Sequence, residues 1–214
     1  MADTTIDTKG KKKTRLAIRT LFVEGRAFFA LIAIIITFSF LSPNYGSVAN
    51  FLIMMNQSAI FGLLAVGMLL VILNGGIDLS VGSVLGLSGV FAGFLMQGIE
   101  LQWAGIIIYF PVWAVVFLTV SMGALVGYVN GVLVAIFKVP AFVATLGSLY
   151  VARGVALLMT NGLTFNDLDG SLELGNRGFN WLGFNRLAGV PIGVWALLTV
   201  AALTGLLLSR SAFG

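Results

Sequence analysis

Apolar residues run through this chain in long blocks separated by short polar interruptions, without the alternation of a half-buried strand. The blocks cover residues 27–42, 56–73, 79–97, 103–137, 140–160 and 191–208. A helix rises 1.5 Å per residue and the hydrocarbon of a bilayer is about 30 Å thick, so each block is long enough, or nearly so, to cross. The pattern predicts an all-α fold, a polytopic transmembrane helical bundle of about six spans. Residues 48–55 read as an interfacial turn of helix that leads into the second span.

The block at 103–137 is too long for one straight crossing, since 35 helical residues reach about 50 Å. Either Pro111 starts a single tilted span of 27 residues, or two minimal spans meet near Thr119 to Ser121. Counting positive charges on each side gives nine against two either way; the lack of turn residues near Thr119 favours one span. Gly82, Gly86, Gly89 and Gly93 on the third span, and Gly123, Gly127 and Gly131 on the next, form small-residue stripes. Such stripes let helices approach closely in lipid, and they also leave room for a solute.

The most informative interruption is Asn74-Gly75-Gly76-Ile77-Asp78-Leu79-Ser80-Val81-Gly82-Ser83, between the second and third spans. The Gly-Gly pair permits a turn that other residues resist, and Asp78 or Ser80 is placed to cap the next helix. A carboxylate this close to hydrocarbon needs a partner, a cap role or water.

Composition narrows the class. The chain is 59% hydrophobic and 9% charged, against about a quarter charged in a soluble domain. Seven of its twelve basic residues (Lys9, Lys11, Lys12, Lys13, Arg15, Arg19 and Arg26) precede the first span. A basic tail there is a topology signal placing the N-terminus in the cytoplasm, so no nucleic-acid partner is implied. The first apolar block is long and lacks a small-x-small cleavage site, so it reads as an uncleaved span. With no cysteine and no histidine, disulfides, imidazole or thiolate metal sites and His-dependent triads are excluded. Asp78 is the one acid within the apolar zone, and a single carboxylate does not make an aspartyl protease dyad. The Gly10-Lys11-Lys12-Lys13-Thr14 run lacks the rest of a phosphate loop, and Val126-Gly127-Tyr128 lacks the rest of a potassium filter. The chain is therefore expected to be no enzyme, with no catalytic, cofactor or metal residues of its own.

The run Gly75-Gly76-Ile77-Asp78-Leu79-Ser80-Val81-Gly82-Ser83 resembles the signature of the ribose-type sugar ABC-transporter permeases, the membrane subunits of binding-protein-dependent importers. The similarity continues at Gly-Tyr-Val-Asn-Gly (127–131), at Lys-Val-Pro-Ala-Phe-Val-Ala-Thr-Leu-Gly (138–147) and at Arg153-Gly154, and so covers most of the chain from about Phe51. Asn74 departs from the family, which commonly has Thr there. The resemblance implies a permease subunit that passes a pentose, hexose or related polyol across a bacterial cytoplasmic membrane. It implies several partners: a separate ATP-binding subunit, where the ATP is held, a second permease copy or related permease, and a periplasmic or extracellular sugar-binding protein. An alternative is a channel or secondary carrier that needs no ATPase.

The expected organisation is a basic cytoplasmic tail at 1–26 and a transmembrane permease domain at 27–208. Within it, a polar loop at 161–189 holds Asp167, Asp169, Glu173, Arg177 and Arg186 among aromatics and faces the periplasm. Residues 209–214 resemble the start of a cytoplasmic coupling segment, which suggests the N-terminal portion of a longer permease. The candidate pathway residues are Asn56, Gln57, Asn74, Asp78, Ser80, Asn130 and Thr145, each weighed against helix capping or interhelical hydrogen bonding. Arg153 reads as an interfacial anchor.

Overall fold

The computed structural model describes residues 25–165 and 168–210. Most of the basic tail (1–24), Asp167, and residues 211–214 of the expected coupling segment lie outside the described residues. The described residues are mostly helical, and the chain divides into two compact units, Met1–Met54 and Met55–Gly214.

In the first unit, α1 (Arg26–Leu41) closes on Ser42, whose amide donates to the Phe38 carbonyl at 3.0 Å. The Phe38 and Tyr45 rings stack 5.8 Å apart across the turn that follows. Ser47 then accepts the Asn50 amide at 3.1 Å, as an N-cap does, and starts α2 (Val48–Leu73). The sequence places only an interfacial turn at 48–55, with the span starting at Asn56. The structure instead runs one helix through Asn56, Gln57 and Ser58. A helix satisfies its backbone internally, so three short polar side chains do not end it.

In the second unit, the chain beyond α2 forms α3 (Val81–Gln97), a hairpin of β1 (Ile99–Leu101) with β2 (Ile106–Ile108), α4 (Val112–Ala135) and α5 (Ala141–Thr160). A short α6 (Phe179–Phe184) follows, then β3 (Arg186–Leu187) paired with β4 (Val190–Pro191), and α7 (Ile192–Arg210). Pro111 sits just before α4 with φ −64° and ψ 149°, pre-set to begin a helix, and Thr119 to Ser121 lie inside that helix without a break. The alternative of two spans in 103–137 is not found. Its first residues are instead the turn and second strand of the antiparallel hairpin, with Ile99 opposite Ile108 and Leu101 opposite Ile106.

α3 is the packing centre, lying against both α5 and α4. Its C-terminal half supplies Ala92, Leu95 and Met96, which bury with Val115 of α4. Elsewhere the apolar side chains face outward: Leu158 is 80% exposed and Trp113 74%. Water would not tolerate so much exposed hydrocarbon, whereas lipid does. Among the described residues four helices (α2, α4, α5 and α7) are long and apolar enough to cross a membrane, while α1 and α3 are shorter apolar helices.

Candidate functional site

The polar centre grows from the way α2 ends. Gly75 takes φ +75°, which costs a glycine little. Its amide donates to the Ile72 carbonyl at 2.8 Å, and that of Gly76 reaches back to Val71 at 3.1 Å. These two bonds are those of a Schellman stop. Asn74 completes it, donating from Nδ2 to the Leu70 carbonyl at 2.8 Å. The chain is thereby turned so that Ile77-Asp78-Leu79-Ser80 enters α3.

Asp78 does not cap α3 in the usual way, and Ser80, at the N-cap position, makes no side-chain cap bond. Asp78 Oδ1 instead accepts from the Ser80 amide at 2.7 Å and from Ser80 Oγ at 2.6 Å. Ser80, 1% exposed, accepts in turn from Asn130 Nδ2 of α4 at 3.2 Å. Ser148 of α5 donates to Asn130 Oδ1. The donors thus run in one direction, Ser148 to Asn130 to Ser80 to the Asp78 carboxylate, and tie the break to two helices. Each bond polarises the next in a low-dielectric setting. Beside this chain the buried Thr145 hydroxyl donates to Ala141 of its own helix at 2.8 Å, and the Ile77 carbonyl lies 3.3 Å away.

Half-buried Asp78 and Ser80 open onto a cavity of about 320 Å³ bounded by α2, α3 and α4. Its polar wall also includes Ser88, and Gly67, Gly123 and Gly127 leave it wide. No Cβ at Gly127 would meet anything within 4 Å, and one at Gly123 would come 3.4 Å from Ser88 Oγ. The cavity therefore offers a carboxylate and hydroxyls within largely apolar walls, which suits transient contact with a hydroxylated solute. Among the described residues no group of three His, Cys, Asp or Glu is placed to hold a metal ion.

The structure gathers Asp78, Ser80, Asn130 and Thr145 around the break and sets the other candidates elsewhere. Asn74 belongs to the stop of α2. Asn56 donates from Nδ2 to the Gly183 carbonyl of α6 at 2.9 Å. Gln57 is exposed and away from the cavity. Of the signature residues, Gly75 and Gly76 form the stop, Ile77 packs its carbonyl near Thr145, and Val81 lines the cavity. Leu79, Gly82 and Arg153 line a separate cavity of about 380 Å³ on the opposite face of α3. Ser88 and Ser148 escaped the sequence reading. Ser88 lies seven residues, about two turns, past Val81 of the signature and so on nearly the same face, a spacing that could have found it.

A family model, that of the branched-chain amino acid transport system / permease component, matches residues 50–214. Over 183 residues the chain is 37% identical to the ribose import permease protein RbsC of Escherichia coli (strain K12), covering 86% of this chain and 53% of that protein. Against RbsC of Haemophilus influenzae it is 34% identical over 198 residues, 92% of this chain and 57% of the relative. Against the autoinducer 2 import system permease protein LsrC of Escherichia coli (strain K12 / DH10B) it is 37% identical over 194 residues, 89% and 52% respectively. The chain spans about half the length of the curated relatives it matches. No solved structure matches it.

Proposed function

We propose, since the chain belongs to the branched-chain amino acid transport system / permease component family, that it serves as the membrane-spanning permease subunit of an ABC importer for a sugar. The solute is a pentose, hexose or related polyol, in keeping with relatives named for ribose and autoinducer 2 import. The observation that carries this reading is the hydrogen-bonded Asp78-Ser80-Asn130-Ser148 chain opening on a cavity beside the signature break. It supplies a few fixed polar groups inside apolar helices, enough to pass a solute without trapping it.

In this proposal six helices, α1 to α5 and α7, cross the cytoplasmic membrane. α1 and α3, at 16 and 17 residues, reach about 24–26 Å and cross with local thinning or snorkelling. The N-terminus and residues 209–214 face the cytoplasm, the latter beginning a coupling segment, and the 161–189 loop faces the periplasm. ATP is hydrolysed on a separate subunit. That subunit closes and opens a pair of permeases, a second copy or a related chain, and a sugar-binding protein delivers the solute from outside.

ATP-dependent uptake of labelled D-ribose by the full-length protein, co-reconstituted with its ATP-binding subunit and binding protein, tests the reading. The Asp78→Ala variant is expected to lower uptake at least tenfold while its membrane insertion stays intact. Normal uptake by that variant refutes a role for the break, and ribose flux through the permease alone, without ATP, favours the channel or carrier.

A further inference from the structure

A cavity larger than the one at Asp78, and sharing no lining residue with it, lies in the 168–191 segment between α5 and α7. That segment is firmly held although little of it is regular. The buried Asn176 donates from Nδ2 to the Met96 carbonyl at the end of α3 (3.0 Å) and accepts the Ser171 amide at 2.8 Å. Asn56 of α2 holds the Gly183 carbonyl, and Trp195 Nε1 of α7 donates to Leu187 at 3.1 Å. Gly170, at φ +69°, is pressed so closely on the Asn176 backbone that no side chain would fit there. A loop tied to three helices presents a formed surface.

On that surface Asp169, Glu173, Arg177, Asn180, Trp181 and Asn185 line about 870 Å³ of open cleft, within the roughly 300–1,000 Å³ usual for small-molecule sites. Among the described residues the Glu173 carboxylate and the Arg177 guanidinium, four positions apart on one wall, make no ion pair or hydrogen bond with each other or with anything else. Their donors and acceptors are uncommitted. Carboxylate, guanidinium and amide groups pair with adjacent hydroxyls through two parallel hydrogen bonds, and charged partners strengthen those bonds. The half-exposed Trp181 indole offers a flat apolar face for the C–H side of a ring. Two carboxylates against one guanidinium disfavour an anionic ligand. An apolar ligand would strip water from these groups and leave them unpaired, which opposes its binding. A neutral, polyhydroxylated molecule meets both conditions.

We propose that this cleft is an outer receiving site for a neutral monosaccharide or polyol, separate from the Asp78 cavity. The site rests on the importer reading and extends it. α2 and α3 join the two places. From Asn56 to the cavity-lining Gly67 is eleven residues, roughly 16 Å of helix, and from Met96 back to Ser88 is eight, roughly 12 Å. The solute is held first at the Trp181 end of these helices and then at the Asp78 end.

The test is saturation-transfer difference NMR on the intact full-length protein in lipid nanodiscs, with D-ribose as the probe and ribose 5-phosphate as its anionic counterpart. D-ribose gives ring-proton signals that fall at least fivefold in Trp181→Ala and in the Glu173→Gln/Arg177→Gln pair. Trp181→Phe keeps at least half of the signal, which separates loss of the ring face from misfolding, and Leu158→Ala, exposed on α5 and outside the cleft lining, leaves it unchanged. No D-ribose signal in the wild type, stronger signals from ribose 5-phosphate, or undiminished signals in both cleft variants overturns the proposal. It is also overturned if those variants keep the sugar signal and lose only stimulation of ATP hydrolysis by the binding protein, because the face is then a protein contact. ATP-dependent uptake by the wild-type complex is measured alongside. Normal uptake with undiminished variant signals defeats the outer site alone, whereas no uptake defeats the importer reading.

Discussion

Replacing Ser80 by alanine removes one oxygen atom and breaks two links at once. The Asp78 carboxylate loses the 2.6 Å hydroxyl donor while keeping the Ser80 amide at 2.7 Å. Asn130, itself buried, is left with an Nδ2 hydrogen that pointed at Ser80 Oγ. A hydrogen bond to a charged group contributes about 1.5–3 kcal/mol, and an orphaned buried donor costs about 1–3 kcal/mol. Because Asp78 keeps its second donor, the lower halves of these ranges apply, and the loss is about 2.5–4 kcal/mol. At about 2–4 °C per kcal/mol for a chain of this size, that lowers the melting temperature by roughly 5–16 °C. Fluorescence-detected gel filtration after heating, on the full-length protein in detergent, reads the shift directly. The same measurement on Asn130→Ala and on the double variant gives the coupling. A connected chain predicts that the double variant loses at least about 1 kcal/mol less than the sum of the two single losses. A Ser80→Ala midpoint within about 1 °C of wild type, or strict additivity, would refute the hydrogen-bond chain as a structural unit.

Two further substitutions probe how the parts are held. Asn176→Ala removes both the bond to the Met96 carbonyl and the acceptor of the Ser171 amide. Amide hydrogen exchange across 168–185 should therefore quicken on the order of tenfold or more, a local loss of at least about 1.4 kcal/mol, with α4 unaffected; unchanged exchange would mean that the loop is held by other contacts. Gly75→Ala meets no neighbour within 4 Å but forces a side chain to φ +75°, so it should destabilise by about 1–2 kcal/mol through the backbone alone. A neutral result in the same heating assay would show that the stop of α2 relaxes to another geometry.

The helices were legible because lipid demands long apolar runs, and the break at 74–80 announces itself through Asn74, Gly75 and Gly76. Pro111 likewise fixed where α4 begins. The β1–β2 hairpin was not legible, because Ile106-Ile107-Ile108 continues an apolar run that reads equally as helix or strand, and only pairing with Ile99 to Leu101 decides between them. Asn56 could be read as a span boundary or a pathway group; its acceptor, Gly183, lies 127 positions away and no local pattern points to it. The same holds at the polar centre. Asp78 and Ser80 are conspicuous beside Gly-Gly, whereas the links from Ser80 to Asn130 and from Asn130 to Ser148 span 50 and 18 positions and exist only once α3, α4 and α5 pack.

The absence of cysteine from these 214 residues allows the Asp78 cavity to be probed directly as a solute path. Ser88→Cys, on the cavity wall, and Leu158→Cys, exposed on α5 outside the cavity and set against lipid in the proposed arrangement, are introduced singly into the full-length permease, with any native cysteine elsewhere in it replaced, and the complete transporter is exposed to a water-soluble methanethiosulfonate. The account predicts that Ser88→Cys is labelled, that labelling slows when transported sugar is present and blocks uptake, and that Leu158→Cys stays unlabelled. Equal labelling at both positions, or an unreactive Ser88→Cys in a transporter that still carries sugar, would contradict it.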